Sequence, residues 1–169
     1  GRGMLLASLM GSSRIVGVEI NPGITASTLE GLPGYGIGPW TEADPKVELV
    51  TAEGRSYSRA TDELFDTVTI TFIQTGVANS SAAFALSEAN LFTAEAVTEF
   101  VSLLDEDGLF YVYRQAGNEM LRLVSMLQVA FAERGITDVR EHLYVARNAS
   151  SRAVLMAPVS PFTADEVAT

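Results

Sequence analysis

The sequence predicts an α/β fold in which a mainly parallel, doubly wound sheet ends in an antiparallel C-terminal hairpin. Three observations predict it. Short β-branched runs alternate with helical patterns along most of the chain. The last two strand patterns, over 142–147 and 153–157, are instead joined by a short turn at 148–151. Finally, 169 residues that are 47% hydrophobic suit a single domain, spanning 1–169, with its own core.

The first half of the chain alternates helix and strand. Pro22 suits the first turn of a helix over 22–30, because proline lacks the N–H that a first turn leaves unbonded. A segment at 31–45 with four Gly, three Pro and the only Trp predicts a long functional loop. The other predicted elements are helices over 4–10 and 55–60 and strands over 14–20, 47–53 and 65–72.

The second half begins with a Gly-, Ala- and Ser-rich segment at 73–90, interpreted as an active-site loop with some helix. Thr93 is expected to cap a helix over 94–104, and a turn at 105–108 leads into a strand over 109–114. Asn118 is expected to cap a helix that Gly135 ends. The predicted core face of that helix comprises Met120, Leu121, Val124, Leu127 and Phe131. Thr163 and Glu166 form a capping box near the C-terminus.

Composition excludes several classes of function. A formal charge of −10 opposes nucleic-acid binding, because such a surface repels phosphates. The absence of Cys and the single His142 argue against a metal site, and His142 is expected to be structural or exposed. No apolar run is long enough to span a bilayer, so this segment is expected to make no membrane contact. We expect a cytoplasmic location, or the soluble domain of a membrane-anchored protein. The expected partner is a small-molecule substrate, with a homo-oligomer left open.

Two carboxylates stand at the ends of predicted strands, where open α/β sheets bind ligands. Glu19 ends the strand over 14–20 and can accept hydrogen bonds from the two hydroxyls of a ribose. Glu53 ends the next strand and can accept one from an adenine amino group, with Gly54 letting the chain turn beneath the ring. The alternatives are a surface glutamate before a turn and an ordinary strand-to-helix turn. The repetition of the pattern favours a ligand.

Further candidates carry weaker signals. Gly1 and Gly3 are interpreted as the end of a glycine-rich loop through which a backbone approaches a cofactor. After the strand over 65–72, Gln74 can orient a polar group, and Glu88 is the nearest acid to the predicted pocket. The alternative is that Glu88 is a solvated side chain that does not face the pocket. Asp66 is expected to be a turn residue, because it precedes the strand.

Four segments, read in order, carry a resemblance to a known family: 18–22 (VEINP), 52–55 (AEGR), 86–96 (LSEANLFTAEA) and 104–108 (LDEDG). Together they resemble the spermidine synthase-like branch of the class I S-adenosylmethionine-dependent methyltransferase superfamily, and most of all its bacterial members. The resemblance covers about residues 1–114. It implies a Rossmann-like fold that binds S-adenosylmethionine or its decarboxylated form.

Carried over by position, Glu19 would hold the ribose, Glu53 and Gly54 would meet the adenine, and Gly1 and Gly3 would remain from the glycine loop. The sequence also departs from the family pattern. Spermidine synthases place aspartates just after the strand that corresponds to 65–72, and here residues 70–75 read ITFIQT. The strand that precedes the glycine loop is missing, so we expect a piece of a longer protein whose first strand lies upstream.

Three functions follow from these observations. The first is an alkyl (methyl or aminopropyl) transferase with an unknown acceptor. The second is a nucleotide-binding or scaffold domain that has lost the chemistry, which the acid-free segment at 70–75 favours. The third, ranked lower, is an NAD-dependent Rossmann enzyme, because it also uses a carboxylate after its second strand.

Overall fold

The computed structural model describes residues 2–30, 44–71, 90–150 and 152–168. The chain divides into two compact units, 1–57 and 58–169. The helices are α1 Arg2–Leu9, α2 Pro22–Glu30, α3 Gly54–Ala60, α4 Ala94–Ser102, α5 Asn118–Glu133 and α6 Ala164–Val167, with a 3-10 turn at Val139–His142. The strands are β1 Ile15–Glu19, β2 Val47–Thr51, β3 Phe65–Thr71, β4 Leu104–Gln115, β5 Tyr144–Arg147 and β6 Arg152–Pro158.

The first unit is built on a pair of parallel strands. β1 and β2 run in register from Ile15 opposite Val47 to Glu19 opposite Thr51. Helix α1 packs on β1 through Met4, which is buried with Ile15 and Val47. Gly17 allows this approach, because a Cβ atom there would lie 2.3 Å from the sulfur of Met4. The small core therefore depends on a strand residue that has no side chain.

The second unit contains a four-stranded sheet in the order β3-β4-β6-β5. β3 and β4 are parallel, whereas β6 is antiparallel to both of its neighbours. Alternate residues of β4, Phe110 and Val112, are fully buried on the face that α4 and α5 cover. Phe131 of α5 and Leu155 of β6 complete the centre of this core. The sheet therefore presents one apolar face to a helical layer.

The α/β class, the parallel strand pairs and the antiparallel C-terminal hairpin are confirmed. Several helix ends are also as predicted. The Thr93 hydroxyl accepts a hydrogen bond from the Ala96 N–H at 3.2 Å, and Thr163 and Glu166 form their capping box. Gly135, at φ 82°, follows the last turn of α5. These signals depend only on residues that are close together in the sequence, so they could be identified without the tertiary fold.

Two predictions about α5 were wrong. The N-cap is Gly117, which has no side chain to donate or accept, and Asn118 is the first helical residue. Leu121 is 69% exposed, whereas Leu123 is buried. Met120, Leu127 and Phe131 of the predicted face are buried, so the prediction misplaced one residue and not the face itself.

The predicted turn at 105–108 is also wrong, because these residues lie within β4. The partner of Phe65 on β4 is Leu104 and that of Thr67 is Leu109, so 105–108 form an irregularity between two paired stretches. At the other end of the sheet, β5 starts at Tyr144 rather than at His142, which lies in the 3-10 turn. His142 is buried, with its ring edge-on to Phe131 at 5.8 Å between centroids, as the structural interpretation predicted.

Strand β5 is one of the two edge strands of this sheet in the described part of the chain and has four residues, with Tyr144 and Val145 about half exposed. None of the helices within the described ranges has the length and apolar composition needed to cross a membrane.

Candidate cofactor-binding site

The carboxyl ends of β1 and β2 bring the two predicted carboxylates to one edge of the first unit. Glu19 lies opposite Thr51, and its backbone carbonyl accepts a hydrogen bond from the Ala52 N–H at 3.0 Å. Glu53 follows Ala52 in the chain, two residues beyond the end of β2. Because the strands are parallel, both glutamates leave the same edge of the pair.

Glu19 is half-buried and turns towards the chain that follows it. Its Oε1 atom accepts a hydrogen bond from the Asn21 N–H at 2.8 Å. The side chain of Asn21 in turn accepts one from the Gly23 N–H at 2.9 Å, in the first turn of α2. Within the part of the chain that the structure describes, Oε2 of Glu19 accepts no hydrogen bond. This carboxylate is therefore oriented by the backbone while most of its acceptor capacity stays open.

Glu53 caps α3. Its Oε1 accepts from the Arg55 N–H at 3.1 Å, and its Oε2 accepts from the Ser56 N–H at 2.9 Å and the Ser56 hydroxyl at 3.2 Å. These contacts satisfy N–H groups that the first turn of a helix cannot bond internally. The structure therefore contains the strand-to-helix turn that was given as the alternative to a ligand contact at Glu53.

A carboxylate offers roughly four acceptor positions. Glu19 uses one of these positions within the described residues, so two hydroxyl donors can still be accommodated. Glu53 uses three, which leaves room for about one further N–H donor. Glu19 can thus still accept hydrogen bonds from the two hydroxyls of a diol, and Glu53 can still accept one from a single amino hydrogen.

Glycines occupy two predicted positions of the site. Gly3 lies in the first turn of α1, and a Cβ atom there would meet nothing within 4 Å. Gly54 begins α3 directly after Glu53. Sequence reasoning overlooked Gly17, whose packing role against Met4 shows only once α1 and β1 are placed together. A glycine inside a β-branched strand was the available signal.

Comparison with family models and with curated proteins finds no match. Solved structures do match. A spermidine synthase in complex with the transition state analogue AdoDATO is 18% identical, with a TM-score of 0.59, over 97% of this chain and 54% of that chain. A probable spermidine synthase from Corynebacterium glutamicum is 16% identical, with a TM-score of 0.63, over 95% and 52%. Human methyltransferase-like protein 13 in complex with SAH is 13% identical, with a TM-score of 0.61, over 99% and 86%.

The chain has the Rossmann-like fold of spermidine synthases and methyltransferases. It spans about half the length of the spermidine synthases that it matches. This fold is the one that the sequence resemblance implied. In such sheets ligands bind outside the carboxyl ends of the strands, which is the edge that Glu19 and Glu53 occupy.

Three predicted site residues, Gly1, Gln74 and Glu88, lie outside the described residues. Asp66 lies where expected, near the amino end of β3. There its carboxyl lies near that of Asp105. Burial and this second carboxyl raise the pKa of Asp105. Asp66 and Asp105 thus form a pair of carboxyls at the amino end of β3.

Arg114, at the carboxyl end of β4 in the second unit, is a buried residue that sequence reasoning missed. Thr71, the last residue of β3, lies opposite Tyr113, so Arg114 stands one position further along β4. It is only 8% exposed. Its guanidinium carbon is 4.2 Å from the centroid of the Phe92 ring, and it pairs with Glu119 of α5. A lone arginine at the end of an apolar strand was the available signal.

Proposed function

We propose that this chain is the adenosyl-binding domain of a spermidine synthase-like transferase. The proposed cofactor is S-adenosylmethionine or its decarboxylated form, and the transferred group is a methyl or aminopropyl group. The observation that carries the proposal is the placement of Glu19 and Glu53 at one edge of a parallel strand pair. The fold shared with a spermidine synthase in complex with AdoDATO and with a methyltransferase-like protein in complex with SAH supports it.

In this proposal the two carboxylates hold different parts of one adenosine. Glu19 accepts hydrogen bonds from the ribose hydroxyls, and the Asn21 N–H fixes its orientation beforehand. Glu53 accepts one from the adenine amino group while it continues to cap α3. Gly1, Gly3 and Gly54 let the backbone approach the ligand. Because both carboxylates are held by backbone N–H groups, little side-chain entropy is lost on binding.

When bound, the cofactor supplies an alkyl group activated by a sulfonium, which an in-line displacement transfers. The protein contributes mainly by positioning the acceptor. Gln74 is proposed to orient the acceptor, and Glu88 is proposed to take its proton. An amine acceptor must lose a proton to become nucleophilic, so Glu88 would be required for amines and dispensable for acceptors that are already anionic.

The cofactor proposal is tested by calorimetric titration of the full chain with S-adenosylmethionine and with its decarboxylated form. We expect binding of at least one. Glu19→Gln replaces an acceptor oxygen by a donor at the same size, and it should abolish binding. Glu30→Gln removes the same charge from an exposed position of the same unit and should leave binding unchanged. Absence of binding to both ligands would refute the proposal.

A second candidate function is a nucleotide-binding or scaffold domain without turnover. The sequence that follows β3, FIQT at 72–75, favours it because it contains no acid. A turnover assay with putrescine and with generic methyl acceptors separates the two candidates. Cofactor binding without product would support the second.

A further inference from the structure

Asn21 connects the Glu19 carboxylate to the start of helix α2. Its backbone N–H donates to Oε1 of Glu19 at 2.8 Å, and its side-chain Oδ1 accepts a hydrogen bond from the Gly23 N–H at 2.9 Å. The same residue thus orients the proposed ribose-binding carboxylate and caps the helix that follows. Because both contacts belong to one residue, the conformation that serves the cap also fixes where this N–H lies.

The two residues that follow Asn21 suit a side-chain cap. Pro22 is the first residue of α2, where its fixed φ fits the helix and its missing N–H would be unbonded anyway. Gly23 therefore carries the first N–H of the helix, and Asn21 accepts it. A Cβ atom on Gly23 would lie 3.2 Å from Oδ1 of Asn21, so glycine leaves room for the close approach. The local sequence therefore favours this one hydrogen bond.

Thr25 holds the carbonyl side of Asn21. The Asn21 carbonyl accepts from the N–H groups of Ile24 and Thr25, both at 3.0 Å, and from the Thr25 hydroxyl at 3.3 Å. Thr25 is 6% exposed, whereas its apolar neighbour Ile24 is 46% exposed. Burial of the isoleucine instead would remove more apolar surface from water. The buried threonine is therefore accounted for by its hydrogen bond to Asn21 rather than by packing.

We propose that Asn21 is the positioning residue for Glu19, and that its cap and the buried Thr25 hydroxyl hold this carboxylate in place for the two hydroxyls of a ribose. The inference deepens the proposed adenosyl-binding function and rests on it. Asn21 itself need not touch the ligand, because it acts through the hydrogen bond from its N–H to Oε1. By reciprocity, a ligand that binds Glu19 must in turn stabilise the first turn of α2.

The first test needs no ligand and follows hydrogen exchange of backbone amides by NMR in the full chain, corrected for the intrinsic rate of each residue type. Asn21→Ala removes the cap, and exchange at position 21 should become about fivefold faster, as expected when an N-cap is lost. Asn21→Ser keeps a capping oxygen and should restore slow exchange. Thr93→Ala removes the cap of α4 and, as the matched control, should leave exchange at position 21 unchanged. Equal exchange in the wild type and Asn21→Ala would overturn the inference.

The second test compares binding of adenosine with that of 2′,3′-dideoxyadenosine, which lacks both ribose hydroxyls. Asn21→Ala should weaken adenosine binding about fivefold and leave dideoxyadenosine binding unchanged, because Asn21 acts only through Glu19. Thr25→Val replaces the buried hydroxyl by a methyl group, so it should weaken adenosine binding in the same selective way without lowering the melting temperature. Equal weakening of both ligands by Asn21→Ala would show that the cap serves only the fold, and it would overturn the inference.

The outcomes distinguish this inference from the transferase proposal. If the wild type binds neither form of S-adenosylmethionine nor adenosine, while exchange at position 21 responds as expected, the transferase proposal is refuted and the positioning of Glu19 stands. If the wild type and Asn21→Ala bind S-adenosylmethionine with equal affinity, this inference alone is refuted. Bound S-adenosylmethionine should also slow exchange of the Asn21 and Gly23 amides, as reciprocal coupling requires.

Discussion

Glu53 caps helix α3 through Ser56, whose backbone N–H and hydroxyl both donate to Oε2 of Glu53, at 2.9 and 3.2 Å. The carboxylate proposed to contact adenine is therefore also a structural group. A simple deletion of this side chain would confuse loss of the helix cap with loss of the ligand.

The two roles of Glu53 can be separated with a pair of variants. Glu53→Ala should lower the free energy of unfolding by about 1 kcal/mol, the usual cost of a lost N-cap, and should also weaken cofactor binding. Glu53→Ser retains a good cap but no carboxylate, so it should restore stability without restoring binding. Urea unfolding and calorimetry measure the two effects. Full binding by Glu53→Ser would exclude the adenine contact.

A side chain at Gly17 should force the end of the Met4 side chain to move. Its added Cβ would lie 2.3 Å from the Met4 sulfur and 3.2 Å from Cδ1 of Leu49. Because the end of the flexible Met4 side chain can shift, Gly17→Ala should cost about 1 kcal/mol of unfolding free energy, the low end of the usual range for overpacking. Met4→Ala should reduce that cost, giving a measurable coupling in a double-mutant cycle. Gly3→Ala, with no atom within 4 Å of the new Cβ, is the control and should not destabilise.

Arg134 should contribute strongly to the stability of the second unit. Its guanidinium donates to the backbone carbonyls of Val101, Leu104 and Asp105 at 2.9, 3.0 and 3.1 Å. Arg134→Met should cost about 2–3 kcal/mol, because it removes three hydrogen bonds from a charged donor to backbone carbonyls.

Arg140 provides the matched control for Arg134. It forms an exposed ion pair with Asp138, and exposed pairs are worth little. Arg140→Met should change the free energy of unfolding by less than about 0.5 kcal/mol. Equal effects of the two variants in thermal and urea unfolding would contradict the role assigned to Arg134.

The stability of the chain should depend on pH through Asp105. Burial and the neighbouring Asp66 raise the pKa of Asp105 above its ordinary value of 3.8. The folded chain therefore binds this proton more readily than the unfolded chain. The free energy of unfolding consequently falls as pH rises from the ordinary pKa of 3.8 through the raised pKa of folded Asp105.

Asp105→Asn should accordingly raise the melting temperature at pH 7 and have no such effect below about pH 3, where the carboxyl is protonated in both states. The new amide oxygen can still accept from the Asp107 N–H, as Oδ1 does now. Asp62→Asn, at an exposed position, should show no comparable gain. A stabilisation by Asp105→Asn that is equal at both pH values would exclude the carboxyl pair as its cause.

Sequence reasoning predicted features that depend on neighbouring residues. Thr93, Gly135 and the Thr163–Glu166 box all act within one helical turn, and all lie where they were expected. The alternation of strands and helices likewise predicted the sheet and its hairpin, because it reflects burial against a common layer.

Features set by contacts between distant segments were not predictable in the same way. The irregularity at 105–108 depends on how β4 pairs with β3, and the exposure of Leu121 depends on the rotation of α5 against the core. In the site, Glu19 and Glu53 could be identified because they end strands. Arg114 also lies at the end of a strand, but its contacts with Phe92, which precedes α4, and with Glu119, in α5, could not be predicted from the sequence.

Strand β5 is short, and its length affects how the protein behaves in concentrated solution. Its outward backbone groups offer a template on which another chain could add a strand, yet only four residues contribute and the last is Arg147. Inserting alternating valine and threonine residues to lengthen this border should promote fibre-like self-association, while the native length and its terminal charge keep neighbouring molecules apart.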